Sequence, residues 1–352
     1  MIERAHDAAV VIPTCNRRGI LERALTGLAA QRESDFEIII VDDASTDGTP
    51  EMIARFTVEH PALDLRLIRN GAVRGANACR NIGARATDAP IVCFIDSDAV
   101  PEPDWLGEII APLDNPAIGA ATGLVLDPPP KNIYDRTFRG THRVRSGEAN
   151  RLAGGNMCVR RELLLNLGFD EDRAAPDAGP DSAPDTTVSG RGDEEGLYLM
   201  LRAEGWRVLC THRARVLHVH HYTRRSFFRQ ALKGGRSAAR LVYKFRLAHR
   251  LDMLPFILTY ITLPLALIDT RLLIIPIVFF LAAIAAITYN DLVRKAKPPI
   301  DVALTFPLLL AYYHVRLVGY LTESIRLLSS GTTSDGLRLE RVDLARRAEG
   351  SS

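Results

Sequence analysis

From residue 8 to residue 100, short apolar runs alternate with stretches whose apolar residues recur every three or four positions. AVVIP (9–13), FEIIIVDD (36–43), LRLIRN (65–70) and APIVCFIDSD (89–98) are short, rich in β-branched residues and bounded by polar turn residues, which predicts strands. Ile20, Leu21, Ala24, Leu25 and Leu28 predict a helix over 18–31, and Met52, Ile53 and Phe56 one over 49–60. Strand–helix alternation with near-continuous apolar strands implies an α/β protein with a parallel sheet covered on both faces. Ligands of such sheets bind outside the carboxyl ends of the strands. Those ends carry polar groups here: Thr14-Cys15-Asn16, Asp42-Asp43 and Asp96-Ser97-Asp98. A Pro-, Gly-, Ala- and Asp-rich stretch at 171–195 reads as a mobile loop that could close over a bound ligand. A helix (195–206) and a strand (207–211) are expected to follow it.

The pattern breaks near residue 222. Residues 222–250 hold nine Lys or Arg and no acid, with Phe227, Phe228, Leu232, Leu241, Val242 and Phe245 interleaved. Such a basic amphipathic helix suits an anionic membrane surface, although a solvated basic face has the same composition. Residues 254–268 and 272–289 are then uncharged, at 15 and 18 residues. Both fall near or below the ~20 needed to cross a bilayer, so a spanning hairpin, a re-entrant one and buried soluble helices all remain open. Basic residues flank the pair on both sides, which places both flanks in the cytoplasm. The stretch 302–328 contains His314, Arg316, Glu323 and Arg326 and is expected to lie at the interface. The expected organisation is an α/β domain at 1–222, an interfacial helix at 223–252, membrane helices at 253–330 and a mobile tail at 331–352.

Composition narrows the function classes. A chain of 352 residues is long enough for about two domains. With 24% charged and 47% hydrophobic residues it is neither disordered nor fibrous. A net charge of +2 is too balanced for a dedicated nucleic-acid binder. The five cysteines are scattered without a C-x-x-C pair, which argues against a disulfide framework or a cysteine zinc site. The first 19 residues show no apolar core behind a basic stretch, so no secretory signal is expected.

The acidic strand ends are the candidate chemistry. Asp96 and Asp98 can share one divalent cation, and their hard oxygens select Mg²⁺ or Mn²⁺ over zinc; in isolation the same residues make an ordinary acidic turn. Asp42 and Asp43 can accept from a nucleoside's base or ribose, or can simply open the helix at 49–60. Neither a phosphate-loop signature nor a G-x-G-x-x-G after the first strand is present. The acids Asp193, Glu194 and Glu195 stand before an amphipathic helix, where they could also serve only the helix N-terminus. His218, Val219, His220 and His221 end a strand-like run; adjacent histidines on a strand face opposite sides, which disfavours a three-histidine zinc site. Trp105 reads as a packing residue.

VVIPTCNR (10–17), VDDASTDGT (41–49), GANACRNIGA (75–84), FIDSD (94–98), GGNMCVRREL (154–163), GFD (168–170) and GDEEGLYLMLRAEGWRV (192–208) occur in that order. In this order and spacing, residues 8–222 resemble the nucleotide-sugar glycosyltransferases of family 2, with the GT-A fold. The resemblance implies that Thr14, Asn16, Asp42 and Asp43 border the nucleoside, with Arg80 and Asp96 beside them. It implies Asp96 and Asp98 as metal and diphosphate acids, with His218 facing the metal, and Gly154, Gly155 and Asn156 lining the sugar. The family's base lies in an acid pair before a helix that ends in a G-[WY] turn. Counting back from Gly205-Trp206 gives Asp193-Glu194, reversed from the usual Glu–Asp order, with Glu194 preferred, Asp193 second and Glu195 third. The implied reaction is transfer, with inversion, from a nucleoside-diphosphate sugar to a hydroxyl, a uridine donor being the commoner family choice.

The apolar C-terminal third adds a membrane partner and favours a lipid-linked saccharide or glycolipid acceptor, in polysaccharide or glycoconjugate synthesis at the cytoplasmic face of the cell membrane. Two other readings stand beside this one. The reversed acid pair is compatible with a GT-A domain that has lost turnover and serves as a membrane-bound scaffold. A nucleotidyltransferase would carry a Gly-rich start with a basic residue, where VVIPTCNR stands instead.

Overall fold

The computed structural model describes residues 6–33, 35–138, 146–171, 193–245, 254–295 and 297–329. Most of the loop expected at 171–195 and the tail expected at 331–352 lie outside the described residues. The chain divides into two compact units: residues 6–128 with 146–220, and residues 129–138 with 221–329, among those described.

The first unit opens with β1 (Ala8–Thr14), α1 (Arg18–Ala29), β2 (Phe36–Asp42), α2 (Thr49–Glu59), β3 (Asp64–Arg69), α3 (Ala76–Arg85) and β4 (Ile91–Ile95). It continues through β5 (Ala99–Pro101), α4 (Trp105–Ile110) and β6 (Ile118–Leu126). The chain then leaves for the second unit's α5 (Ile133–Phe138) and returns with β7 (Gly147–Glu148), β8 (Asn156–Arg160), α6 (Arg161–Leu167), α7 (Asp193–Ala203) and β9 (Arg207–His218).

The sheet order is β3-β2-β1-β4-β8-β6-β9-β5, with β7 added against β9. Strands β3, β2, β1 and β4 are parallel, as the alternation predicts. β8 runs against both β4 and β6, so the sheet is mixed rather than wholly parallel. Among the described residues, the run before β8 contains no crossover helix within this unit, and residue periodicity carries no strand direction. RVLCT and ARVLHV, separate runs in the sequence, form the single strand β9.

Alternation along the strands divides the core. Val10 and Ile12 of β1 point to one face with Leu21 and Leu25 of α1, Met52 and Phe56 of α2, and Trp105 of α4. Ala9 and Val11 point to the other with Cys79 and Ala84 of α3, Leu163 of α6, and Leu197 and Leu201 of α7. Burial of each large aliphatic side chain contributes about 1.5–3 kcal/mol, so this period-two segregation fixes the register of the sheet.

The second unit contains α5, α8 (Arg224–Phe245), α9 (Leu254–Thr262), α10 (Ile274–Tyr289) and α11 (Pro299–Ser329). Phe227 of α8 packs among Tyr134, Phe138, Phe228 and Tyr312 at centroid distances of 5.0–5.3 Å. A β-carbon on Gly235 would overlap the Arg316 carbonyl, and one on Gly319 the Leu232 carbonyl, so α8 and α11 touch backbone to backbone. Buried Glu323 accepts from Arg240 Nε at 2.6 Å across the same contact. α8 therefore buries a small-residue face, including Ala231, Ala238 and Ala239, against its own unit. The sequence pattern had suggested only an interfacial role for it.

The apolar helices also differ from the expected hairpin. α9 gives way to a 3-10 turn at Leu263–Leu267, where Pro264 sits. The long apolar segments are Thr270–Val293 and Pro299–Ser329, with mean hydropathy 2.6 and 1.4 in their most apolar windows. Within the chain, 17% and 33% of those windows are buried. α11, expected at the interface because of its charges, spans 31 residues, or about 46 Å. Its Glu323 and the Arg316 backbone lie against α8.

Candidate active site

The polar strand ends of the first unit converge. β1, β2 and β4 are adjacent and parallel, so Thr14, Asp42 and the turn after Ile95 emerge on one edge. Asp42 is fully buried; it accepts from the Ser45 amide at 3.3 Å and faces Arg69 Nε at 3.3 Å. Thr14 is also buried, and among the described residues its hydroxyl has no hydrogen-bond partner. Asn16 and Ala44 adopt left-handed φ angles of 52° and 61°. Asn16 is tied to the next loop through Ser45 Oγ and the Thr46 amide, at 2.8 Å each. For alanine that conformation costs about 1–2 kcal/mol, strain of the kind that gathers at ligand sites. An open groove of about 440 Å³ lies there, lined by Ala44, Ser45, Thr46, Arg69, Asn70 and Gly71.

Asp43 has a different surrounding. Its oxygens accept from Asn70 Nδ2, the Arg74 amide and the Gly75 amide, each at 2.8 Å. The carboxylate thus fixes the entry to α3, and from α3 comes Arg80. Fully buried Arg80 donates to Asp96 Oδ1 at 3.0 Å and to Asn77 at 3.2 Å, and lies 5.7 Å from the centre of the Phe169 ring.

Asp98 receives charge from two directions. Arg17 Nη1 stands 3.6 Å from it and His218 Nε2 3.1 Å. β5 pairs Ala99 with His218, and the Val219 amide donates to the Asp98 carbonyl, so strand pairing delivers the imidazole. Burial opposes ionisation of Asp98, but the charge and hydrogen bond of His218, then Arg17, outweigh it and hold the carboxyl at about 2. His218 rises to about 9, its burial overcome by Asp98. Burial pushes Asp96 up, and the charges of Asp98 and Glu194 add to that, against Arg80 and His218.

Glu194, buried in the first turn of α7, accepts from the Gly154 amide at 3.0 Å. A β-carbon on Gly154 would overlap the Glu194 carboxylate, and one on Gly155 the Asp96 carboxylate. The two glycines let the backbone pass between these acids, and only glycine leaves room for both. Asp193 is the first residue of α7, and Glu195 follows one residue after Glu194.

Two expected roles look different in place. Asn156 is fully buried; its Nδ2 donates to the Leu124 and Ala214 carbonyls at 3.0 Å each, and its Oδ1 accepts from Trp105 Nε1 at 2.8 Å. Its amide binds β6, β9 and α4 together, and Trp105 is its polar partner as well as a packing residue. His218 bonds Asp98, and the described residues gather no set of three His, Cys, Asp or Glu side chains arranged to hold a metal. Asp96 and Asp98, hard oxygen donors two residues apart, are the residues that could hold a divalent cation.

Arg17 and Arg69 carry charge at the site that the strand-end acids alone did not reveal. Arg17 was visible in the sequence as the last residue of VVIPTCNR. Arg69 ends an unremarkable strand and had no signal.

Comparison with known proteins gives the site its context. The profile described as Glycosyl transferase family 2 matches residues 9–166. This segment belongs to glycosyl transferase family 2. It holds every strand-end acid described above, while Glu194 and His218 lie beyond it. Validoxylamine A glucosyltransferase of Streptomyces hygroscopicus subsp. jinggangensis is 34% identical over 113 residues, 31% of this chain and 26% of that protein. Glycosyltransferase AglE of Haloferax volcanii is 26% identical over 167 residues, 46% of this chain and 54% of that protein. The chain thus spans about a quarter to a half of the length of these relatives. The solved mannosyltransferase PcManGT of Pyrobaculum calidifontis, in complex with GDP-Man and Mn²⁺, is similar with a TM-score of 0.56 at 20% identity. The match covers 92% of this chain and 88% of that one. The fold is GT-A, a mixed α/β sheet.

Proposed function

We propose that this family 2 chain transfers a sugar, with inversion, from a nucleoside-diphosphate sugar to a hydroxyl of a lipid-linked saccharide or glycolipid at the cytoplasmic face of the cell membrane. The observation that carries the reading is the Gly154–Gly155 backbone between Glu194 and Asp96, within a fold whose family acts on activated sugars. Thr14, Asn16, Asp42 and Arg69 would border the nucleoside, in the groove beside Ser45. Among the described residues, Arg17 and Arg80 each keep a buried Nε–H without a hydrogen-bond partner, and each would donate to diphosphate oxygens. Asp43 and Asn156 would act by holding α3 and β8 in place. Asp96 and Asp98 would hold Mg²⁺ or Mn²⁺, with His218 orienting Asp98; such an ion neutralises the departing diphosphate. The similar mannosyltransferase is described with GDP-Man and Mn²⁺, which supports this donor class and metal.

Glu194 would take the proton of the acceptor hydroxyl as it attacks the anomeric carbon. Its hydrogen bond from the Gly154 amide holds that carboxylate in one orientation. The exposed apolar surface of Thr270–Val293 and Pro299–Ser329 supports a bilayer as the environment of the second unit, and hence a lipid-linked acceptor. Detergent-purified chain is to be titrated with UDP-, GDP- and dTDP-sugars with and without Mn²⁺, and turnover followed as nucleoside-diphosphate release. Glu194→Gln is expected to keep donor binding and lose turnover by about 10²–10⁴-fold. Undiminished turnover in that variant refutes the assignment of the base, and failure of every donor to bind folded wild type refutes the transferase reading.

A further inference from the structure

The second unit carries a groove that the transferase reading does not use. It is open, about 380 Å³ in volume, and lined by Pro130, Lys131, Asn132, Ile133, Arg136 and Leu304. That volume lies within the roughly 300–1,000 Å³ of small-molecule sites. The lining combines the cations Lys131 and Arg136 with the apolar side chains of Ile133 and Leu304. Among the described residues the Lys131 ammonium has no hydrogen-bond or ion-pair partner, whereas its backbone amide donates to Asp135 Oδ2 at 3.0 Å. Arg136 Nη1 contacts Asp301 at 2.9 Å and retains further N–H groups on a side chain 41% exposed. Ile133 and Leu304 are 42% and 52% exposed, and Ile300, one turn before Leu304 on the same helix face, is 65% exposed.

The groove is fixed in place by buried polar contacts. Buried Lys297 donates to the Thr137 carbonyl at the end of α5 and to Asp291 Oδ2, the latter at 2.6 Å. Asp135 accepts from His221 and from the Tyr222 amide, at 2.8 and 2.6 Å. The Lys297 bonds hold α5 at the turn that joins the two long apolar segments, Thr270–Val293 and Pro299–Ser329, and the Asp135 bonds tie α5 to the segment just before α8. If those segments lie in hydrocarbon, this turn lies at the level of the lipid headgroups. A cation there faces phosphate, and an exposed Ile or Leu beside it faces acyl chain.

We infer that the Lys131–Arg136–Leu304 groove binds the phosphate headgroup of an anionic membrane phospholipid, with the lipid's chains along Ile133 and Leu304. The inference rests on the membrane part of the proposed function. The full chain, reconstituted into nanodiscs of phosphatidylcholine with and without phosphatidylglycerol, tests it. Lipid retained on the protein after detergent exchange is identified by mass spectrometry. Wild type is expected to retain phosphatidylglycerol over phosphatidylcholine. Lys131→Met, which keeps the apolar stem, is expected to lose about fivefold of that preference, the worth of one cation near an anionic surface. Arg136→Lys keeps a partner for Asp301 and is expected to retain most of it.

A Lys131→Met protein with wild-type melting temperature and unchanged preference overturns the inference. So does a wild type that inserts into both kinds of disc without preference, which leaves the membrane reading standing. A chain that enters neither disc overturns both. Stabilisation of the detergent-purified chain by inorganic phosphate to the same extent as by lipid assigns the groove to a soluble anion and overturns the lipid.

Discussion

Asn156 separates a ligand-facing role from a structural one. Replacing it by leucine keeps the side-chain volume nearly constant and removes the amide. Trp105 Nε1, now 2.8 Å from Asn156 Oδ1, would keep a buried N–H with no acceptor. The Leu124 and Ala214 carbonyls would each lose a donor at 3.0 Å. A buried donor left unsatisfied costs about 1–3 kcal/mol, and the two carbonyls, each with a second lone pair, fall at the low end of that range. The sum is about 3 kcal/mol or more. For a unit of this size, about 2–4 °C of melting temperature per kcal/mol gives a fall of about 6–12 °C. Intrinsic fluorescence during heating of the detergent-purified chain reads it, and Trp105→Phe with the double variant completes a cycle whose coupling should exceed about 1 kcal/mol. A variant that melts within about 1 °C of wild type and instead shows a raised KM for the donor would refute the reasoning and return Asn156 to the sugar subsite.

Other expectations follow from the same contacts. Gly155→Ala places a methyl into the Asp96 carboxylate, so turnover should fall at least tenfold while circular dichroism stays native; full activity would mean that the backbone there can shift freely. Gly235→Leu drives a side chain into the Arg316 carbonyl, and should separate α8 from α11 and raise protease sensitivity in the second unit by an order of magnitude. His6 lies 2.9 Å from Asp35 and 3.0 Å from Asp64; its burial opposes protonation, but the two carboxylates win and raise its pKa. The stabilisation is therefore fully present below the ordinary histidine value of about 6.5 and is lost as pH rises through the folded value. Melting temperatures of wild type and His6→Gln should differ in mild acid and converge in mild alkali, and a difference that grows with pH would reverse the assignment.

Much of the GT-A unit was legible in the chain. Each of β1 to β4 combines β-branched residues with a polar exit, and each intervening helix carries one apolar stripe. Short-range periodicity encodes both features, and parallel neighbours put their carboxyl ends on one edge, so Thr14, Asp42, Asp96 and Asp98 stand out as candidates in the chain itself. The order of seven short blocks did the rest, and the family match over 9–166 agrees with it.

Tertiary structure decided what depends on direction, partner and enclosure. Nothing local in NMCVR indicates that β8 runs against its neighbours, because side-chain alternation is the same in either direction. Asp42 and Asp43 are adjacent and chemically identical, yet one faces the Ser45 groove and the other holds the start of α3; that division arises from which backbone amides arrive beside them. Asn156 reads as a ligand-facing polar residue until Trp105, distant by 51 positions, is found donating to it. The charges of 302–328 argue against a bilayer when counted along the chain, but Glu323 lies against Arg240 of α8, away from the exposed apolar surface. The sequence by itself determined which residues are apolar, which are ionisable and in what period they recur. Which of those ionisable groups meet one another, and with what solvent excluded, was determined only when distant segments closed around them, since the energy of a buried charge or amide belongs to its surroundings and not to the residue alone.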